Sequence, residues 1–169
     1  ACDMASRSNA VNATYNNLFM EEIIQWYHHH PSSFREFPAF QLYSAAYQLF
    51  SAPESSTTYQ DLKTQLELHL ELIPIDELRH LYTYLINYAV QQSNSGDNQF
   101  YQELFELYRF LLEKSILIKN DSLTQWTFTN IITVGIRTKN YAWTEQFIQE
   151  NNHFLLPELR QNVVTYNLA

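Results

Sequence analysis

Glycine is almost missing from this chain: Gly96 and Gly135 are the only two in 169 residues. A loop that folds backbone amides around a phosphate needs several glycines close together, so nucleotide binding of the P-loop or Rossmann kind is excluded. Cysteine is as scarce. Cys2 alone can form neither an internal disulfide nor a thiolate metal cage, and a reducing, cytoplasmic setting is the expectation. Basic charge is also short, with 10 Lys and Arg against 18 Asp and Glu. The resulting formal charge of −8 repels a phosphate backbone and disfavours nucleic acid as a partner. No apolar run approaches the roughly 20 residues that span a bilayer, and no charged-then-apolar leader opens the chain, so no membrane is expected.

What the chain has in excess is aromatic rings. Twelve Tyr, 11 Phe and 3 Trp make up 15% of the residues, while the hydrophobic share of 46% is ordinary for a globular protein. Rings in such numbers serve both as core and as recognition surface. The length suits one domain with a real core.

Proline at 31, 38, 53, 74 and 157 punctuates the hydrophobic pattern, because inside a helix each would cost about 3 kcal/mol. Between these marks the 3.6-residue period predicts helices over residues 14–29, 39–51, 58–72 and 75–92. The first carries Leu18, Phe19, Ile23, Trp26 and Tyr27 on one side, and the second carries Phe40, Tyr43, Tyr47 and Phe50. In the fourth the main stripe is Ile75, Leu78, Tyr82, Leu85 and Ala89. Asp97 follows as a cap. A fifth helix over 98–114 has two apolar stripes, Phe100/Leu104/Leu107/Leu111 and Tyr101/Phe105/Tyr108/Leu112, and must meet neighbours on two sides. Ser122 and Gln125 form a capping-box pattern before a sixth helix over 123–137. A seventh spans 141–154, and Pro157 opens an eighth.

About eight helices with short connections and no alternating strand pattern define an all-α chain. The fourth helix pairs with the fifth and the sixth with the seventh as antiparallel hairpins, each about as long as known helical repeats. "NIITVGIRTKNYAWTEQFI" resembles a tetratricopeptide-type hairpin: Gly135 near the end of the first helix, Tyr141 after the turn, Ala142 and Phe147 on the second. Thr144 or Glu145 stands where that family places a small residue deep in the second helix. "FELYRFLLEK", "LTQWTFTNIITVGIR" and "YNLA" also resemble a group of uncharacterised bacterial proteins with tetratricopeptide-like helices. The resemblance implies stacked antiparallel hairpins, an α-solenoid, and brings no activity with it. On this reading residues 1–11 are a disordered lead-in or a remnant of expression. Residues 12–169 are then one helical repeat domain, the N-terminal part of a longer array, because Val163, Val164 and Leu168 leave its end apolar.

Several residue groups invite chemistry. His28, His29 and His30 point about 100° apart on a helix and cannot face one metal, so capping of a helix end is the simpler role. Glu77-x-x-His80 and Glu150-x-x-His153 repeat the spacing used by helical di-metal carboxylate enzymes, with Glu22 and Glu103 or Glu106 as lone carboxylates. At about 100° per residue, however, His80 lies roughly 170° from the Leu85/Ala89 stripe, and a ligand should point inward. No Ser-His-Asp or Cys-His signature is present. Asn130, inside an apolar stripe, is expected to bond the backbone of a neighbouring helix.

The angle that takes His80 out of the core gives it to a surface. Glu77, His80, Tyr84 and Asn87 on the fourth helix, with Gln125, Thr129, Thr133 and Ile136 on the sixth, would line the concave groove of a solenoid. The expected function is therefore a non-catalytic scaffold that binds a peptide or helix of a protein partner, without cofactor or metal. The alternatives are the di-metal enzyme and a structural cap of a longer array.

Overall fold

The computed structural model describes residues 38–51 and 56–155, together with residues 22, 26, 29 and 30. The expected helix over 14–29 lies outside the described residues save for three of its positions, as do the eighth helix, the lead-in and the tail from 156 onward. The described residues hold six α-helices and no strand: α1 (Pro38–Ser51), α2 (Ser56–Leu68), α3 (Ile75–Asn94), α4 (Gln99–Glu113), α5 (Gln125–Arg137) and α6 (Tyr141–Asn151). A short 3-10 turn, η1 (Asn152–Phe154), follows α6. None of these helices is long and apolar enough to cross a membrane. The chain divides into two compact units at Gln91, within α3.

In the first unit α1 packs on α2. α1 buries Leu42, Ala46, Leu49 and Phe50, a one-sided stripe, and α2 buries Tyr59, Leu62 and Leu66 at the same kind of spacing. α3 is buried over a wider arc than its main stripe predicts. Leu78, Tyr82, Leu85 and Ala89 are joined in the core by Leu81, Tyr84 and Tyr88, while Ile75 is exposed. The added residues meet rings from both neighbours: Tyr84 lies edge-on to Tyr43 and Phe50 of α1, and Tyr88 stacks on Tyr59 of α2 with centroids 5.5 Å apart. Burial, with the Glu67 carboxylate near, pushes the Tyr82 phenol far above its ordinary range.

Helix ends explain how the chain manages with two glycines. α3, α4 and α5 each close with a left-handed residue and the paired hydrogen bonds of a Schellman turn. Gly96 (φ 102°) takes that place after α3, where Gly96 N donates to Ser93 O and Asp97 N to Gln92 O. Ser115 (φ 55°) does so after α4 and Lys139 (φ 60°) after α5. In the latter Asn140 N donates to Gly135 O over 2.9 Å. Two of three closures therefore use a residue with a Cβ in a conformation that glycine would adopt without strain.

In the second unit α5 packs on both α4 and α6. α4 buries Leu104, Phe105, Leu107, Tyr108 and Leu111, members of both expected stripes. Asp97 Oδ1 accepts from Gln99 N, the capping role expected of it. Between α4 and α5 the chain turns tightly, with Lys119 and Ser122 bridged antiparallel around Asn120 and Asp121, both at positive φ. Leu123 N then donates to Phe154 O, fastening this loop to η1. Thr124, not Ser122, caps α5: its hydroxyl accepts from Thr127 N. α6 stops at Asn151, three residues short of the expected end, and η1 finishes the turn.

The α5–α6 hairpin is close. The nearest neighbour of Gly135 across it is the buried Thr144, whose hydroxyl donates to Asn140 O. Of the residues that carry the tetratricopeptide resemblance, Gly135 and Phe147 are buried, and Tyr141 and Ala142 are exposed.

Candidate functional site

Within the second unit, α4 and α6 wall a groove of about 470 Å³. Its position follows from the sequence of each wall. α4 places Glu106, Arg109, Phe110 and Glu113 beside the groove, with Leu112 from the edge of its second stripe; α6 contributes Trp143, Gln146, Phe147, Glu150 and Asn151. These α6 positions recur at i, i+3, i+4, i+7 and i+8, one face of a helix.

The floor is aromatic. Phe147 is buried against Phe128 of α5 at 4.8 Å between centroids, and the half-buried Trp143 stacks nearly parallel on it at 5.6 Å. Phe105 of α4 meets Trp143 edge-on at 4.9 Å, so the rings tie α4 to α6 and fix the groove's width. Phe110 is half-buried on the α4 wall.

The rim is acidic. Among the described residues, Glu106, Glu113 and Glu150 are exposed and line the groove with a single cation, Arg109. Gln102 donates to Glu106 at 3.0 Å and Gln146 to Glu150 at 2.9 Å, both one helical turn apart, which orders two of the three carboxylates. Arg109 reaches Glu106 at 3.5 Å and lies over the Phe105 ring, 5.7 Å from its centroid.

Tyr108 of α4 and Asn130 of α5 are polar members of the second unit's interior. Asn130 is half-buried, and its side-chain amide acts on the buried Tyr108 phenol as a donor that favours the ionised form. Burial drives the Tyr108 phenol up to about 12, with the Asn130 bond pulling slightly the other way.

The surface residues singled out in the sequence fall into different units, Glu77, His80, Tyr84 and Asn87 in the first, Gln125, Thr129, Thr133 and Ile136 in the second. On α3, His80 and Asn87 are exposed and Glu77 is half-buried. Tyr84 is a correction. It is 3% exposed, because Tyr43 and Phe50 of α1 cover the flank of α3 that carries it, and it forms core instead of a groove wall. His80 sits edge-on to that ring at 5.4 Å. On α5, Gln125, Thr133 and Ile136 are exposed and Thr129 is half-buried, and Trp126 beside them is 76% exposed.

The possible metal ligands are spread over surfaces. Glu77 is half-buried, and His80, Glu150 and His153 are exposed, as is Glu22; of the other lone carboxylates, Glu103 is half-buried. His153 belongs to η1, its ring tilted against that of Phe154, and not to the helix that bears Glu150. Among the described residues no three His, Cys, Asp or Glu side chains gather as a metal site. Of the histidine run, His30 donates from Nδ1 to Trp26 O over 2.9 Å and stacks on the Trp26 ring, which satisfies a helix-end carbonyl.

The α4–α6 groove was missed by sequence reasoning, although two signals were available. Phe110 lies off both apolar stripes of its helix, and Trp143 and Phe147 form an aromatic pair one turn apart on a short, polar helix. Comparison with protein-family models, with curated proteins and with solved structures gives no match to this chain.

Proposed function

We propose that this chain is a non-catalytic protein-interaction module that takes a peptide or a single helix of a partner in the α4–α6 groove, on hairpins stacked as a tetratricopeptide-like solenoid. The observation that carries this reading is the groove itself: an aromatic floor held rigid by ring contacts, with a polar rim that faces solvent. Such a site gives a partner apolar area to bury and polar groups to set its register, while the floor needs no rearrangement before binding. The close α5–α6 hairpin supports the solenoid arrangement.

The test is selection of peptides from a random display library on the immobilised full chain, repeated on Gln146→Trp. Gln146 is exposed on the α6 wall, so a bulky ring there obstructs the groove without touching the core. Peptides that bind the parent chain in the micromolar range and lose at least tenfold in affinity for Gln146→Trp are the expected result. Failure to select any peptide, or selected peptides indifferent to the plug, would overturn the reading.

A further inference from the structure

The rim and floor of the groove differ in chemistry, and together they select for charge. On the reading that this groove takes a peptide, we infer that its ligand is a basic segment whose lysine or arginine side chains lie along Trp143 with their cationic ends between Glu106, Glu113 and Glu150. Three observations combine. Among the described residues the groove sets three carboxylates against one guanidinium, so a cationic ligand meets a favourable field and an acidic one a repulsive field. Trp143, half-buried over the buried Phe147, leaves the floor ring surface on which the aliphatic stem and charged head of Lys or Arg both pack. The groove also already displays this chemistry within one molecule, since Arg109 lies over Phe105 beside Glu106.

The occupant is a basic peptide and not a bare metal ion, because the carboxylates are exposed on two separate helices and do not converge. The formal charge of −8 supplies long-range attraction to the same class of partner and makes association depend on ionic strength. Salt dependence alone would also arise from unspecific attraction to an acidic surface. The decisive comparison therefore separates the groove's own carboxylates from the rest of the chain.

The experiment uses the full chain and two fluorescent peptides of about a dozen residues, identical except that one carries lysine and the other glutamate at every third position, read by anisotropy. The lysine peptide is expected to bind at least tenfold more tightly than its glutamate twin. The triple substitution E106Q/E113Q/E150Q, which preserves shape, is expected to weaken the lysine peptide about tenfold, and Gln146→Trp to weaken it further. Circular dichroism and melting temperatures unchanged from the parent confirm that both variants fold. Equal affinity for the two peptides would overturn the inference, as would lysine-peptide binding that ignores the triple substitution. Sedimentation showing a dimer that Gln146→Trp dissociates would assign the groove to a second copy of the chain and overturn it as well. The display selection keeps the two levels apart: selected peptides without enrichment in Lys and Arg leave the peptide groove standing and remove its charge preference.

Discussion

The Thr144 side chain occupies the space that a Cβ on Gly135 would need: a methyl group there would collide with the Thr144 hydroxyl and stand 3.2 Å from its Cβ. The close approach of α5 and α6 thus rests on one of only two glycines in the chain.

Gly135→Ala should consequently destabilise the protein even though alanine is the better helix former by about 1 kcal/mol. Thr144 cannot swing away freely, because it is buried and its hydroxyl donates to Asn140 O at 2.8 Å. Overpacking of this kind costs about 1–3 kcal/mol, so the net loss expected in urea unfolding is up to about 2 kcal/mol. Thr144→Ala in the same chain should recover most of it. A coupling energy near zero in that double-mutant cycle would show that the hairpin relaxes elsewhere.

Tyr84→Ala is expected to cost about 3 kcal/mol or more, since the ring is enclosed by Tyr43 and Phe50 and its removal leaves a cavity. From its angular position alone Tyr84 reads as a surface residue whose loss is harmless. Thr133→Ala, on the exposed strip of α5, provides the contrast and should change thermal stability by less than about 0.5 kcal/mol.

Lys139→Gly should stabilise the chain. Lys139 pays for its left-handed conformation at the end of α5, a cost of about 1–2 kcal/mol that glycine avoids, offset in part by glycine's greater freedom in the unfolded chain. A gain of about 0.5–1 kcal/mol in the unfolding midpoint analysis is the expected outcome, with a similar gain for Ser115→Gly after α4. A loss in both variants would mean that their side chains contribute contacts outweighing the strain.

Helix existence was legible in the sequence; partnership was not. The 3.6-residue period and the prolines located six helices within a few residues, because amphipathic stripes and missing amide donors are local properties. The ends moved where short-range chemistry competed. α2 stops at Leu68, not at 72, and His69 Nδ1 donates back to Gln65 O at the turn. Thr124 caps α5 in place of Ser122 because the Ser122 backbone is held in the bridge with Lys119, ahead of the helix, while Thr124 directly precedes the first turn. The groove stayed hidden for a different reason: periodicity states that a face is apolar, but not which helix will meet it. Trp143 and Phe105 are 38 positions apart, and only folding brings their rings to 4.9 Å.

Burial of the Tyr108 phenol makes the stability of the chain depend on alkaline pH. Below about pH 10 the phenol is protonated whether the chain is folded or not, and its contribution is constant. Between about 10 and 12 the unfolded chain loses the proton while the buried phenol, pushed up to about 12, keeps it. The folded state then binds more protons, so stability falls as pH rises through this window and levels off once the folded phenol ionises. A shift of this size corresponds to on the order of 3 kcal/mol, and Tyr108→Phe should remove that part of the decline in urea titrations across the window. Asn130→Leu should act in the opposite direction on the phenol. Its lost hydrogen bond is the influence that lowers the Tyr108 value, so phenolate absorbance should appear at still higher pH. A Tyr108→Phe chain as sensitive to alkali as the parent would place the burden on other buried phenols, of which Tyr82 is the foremost.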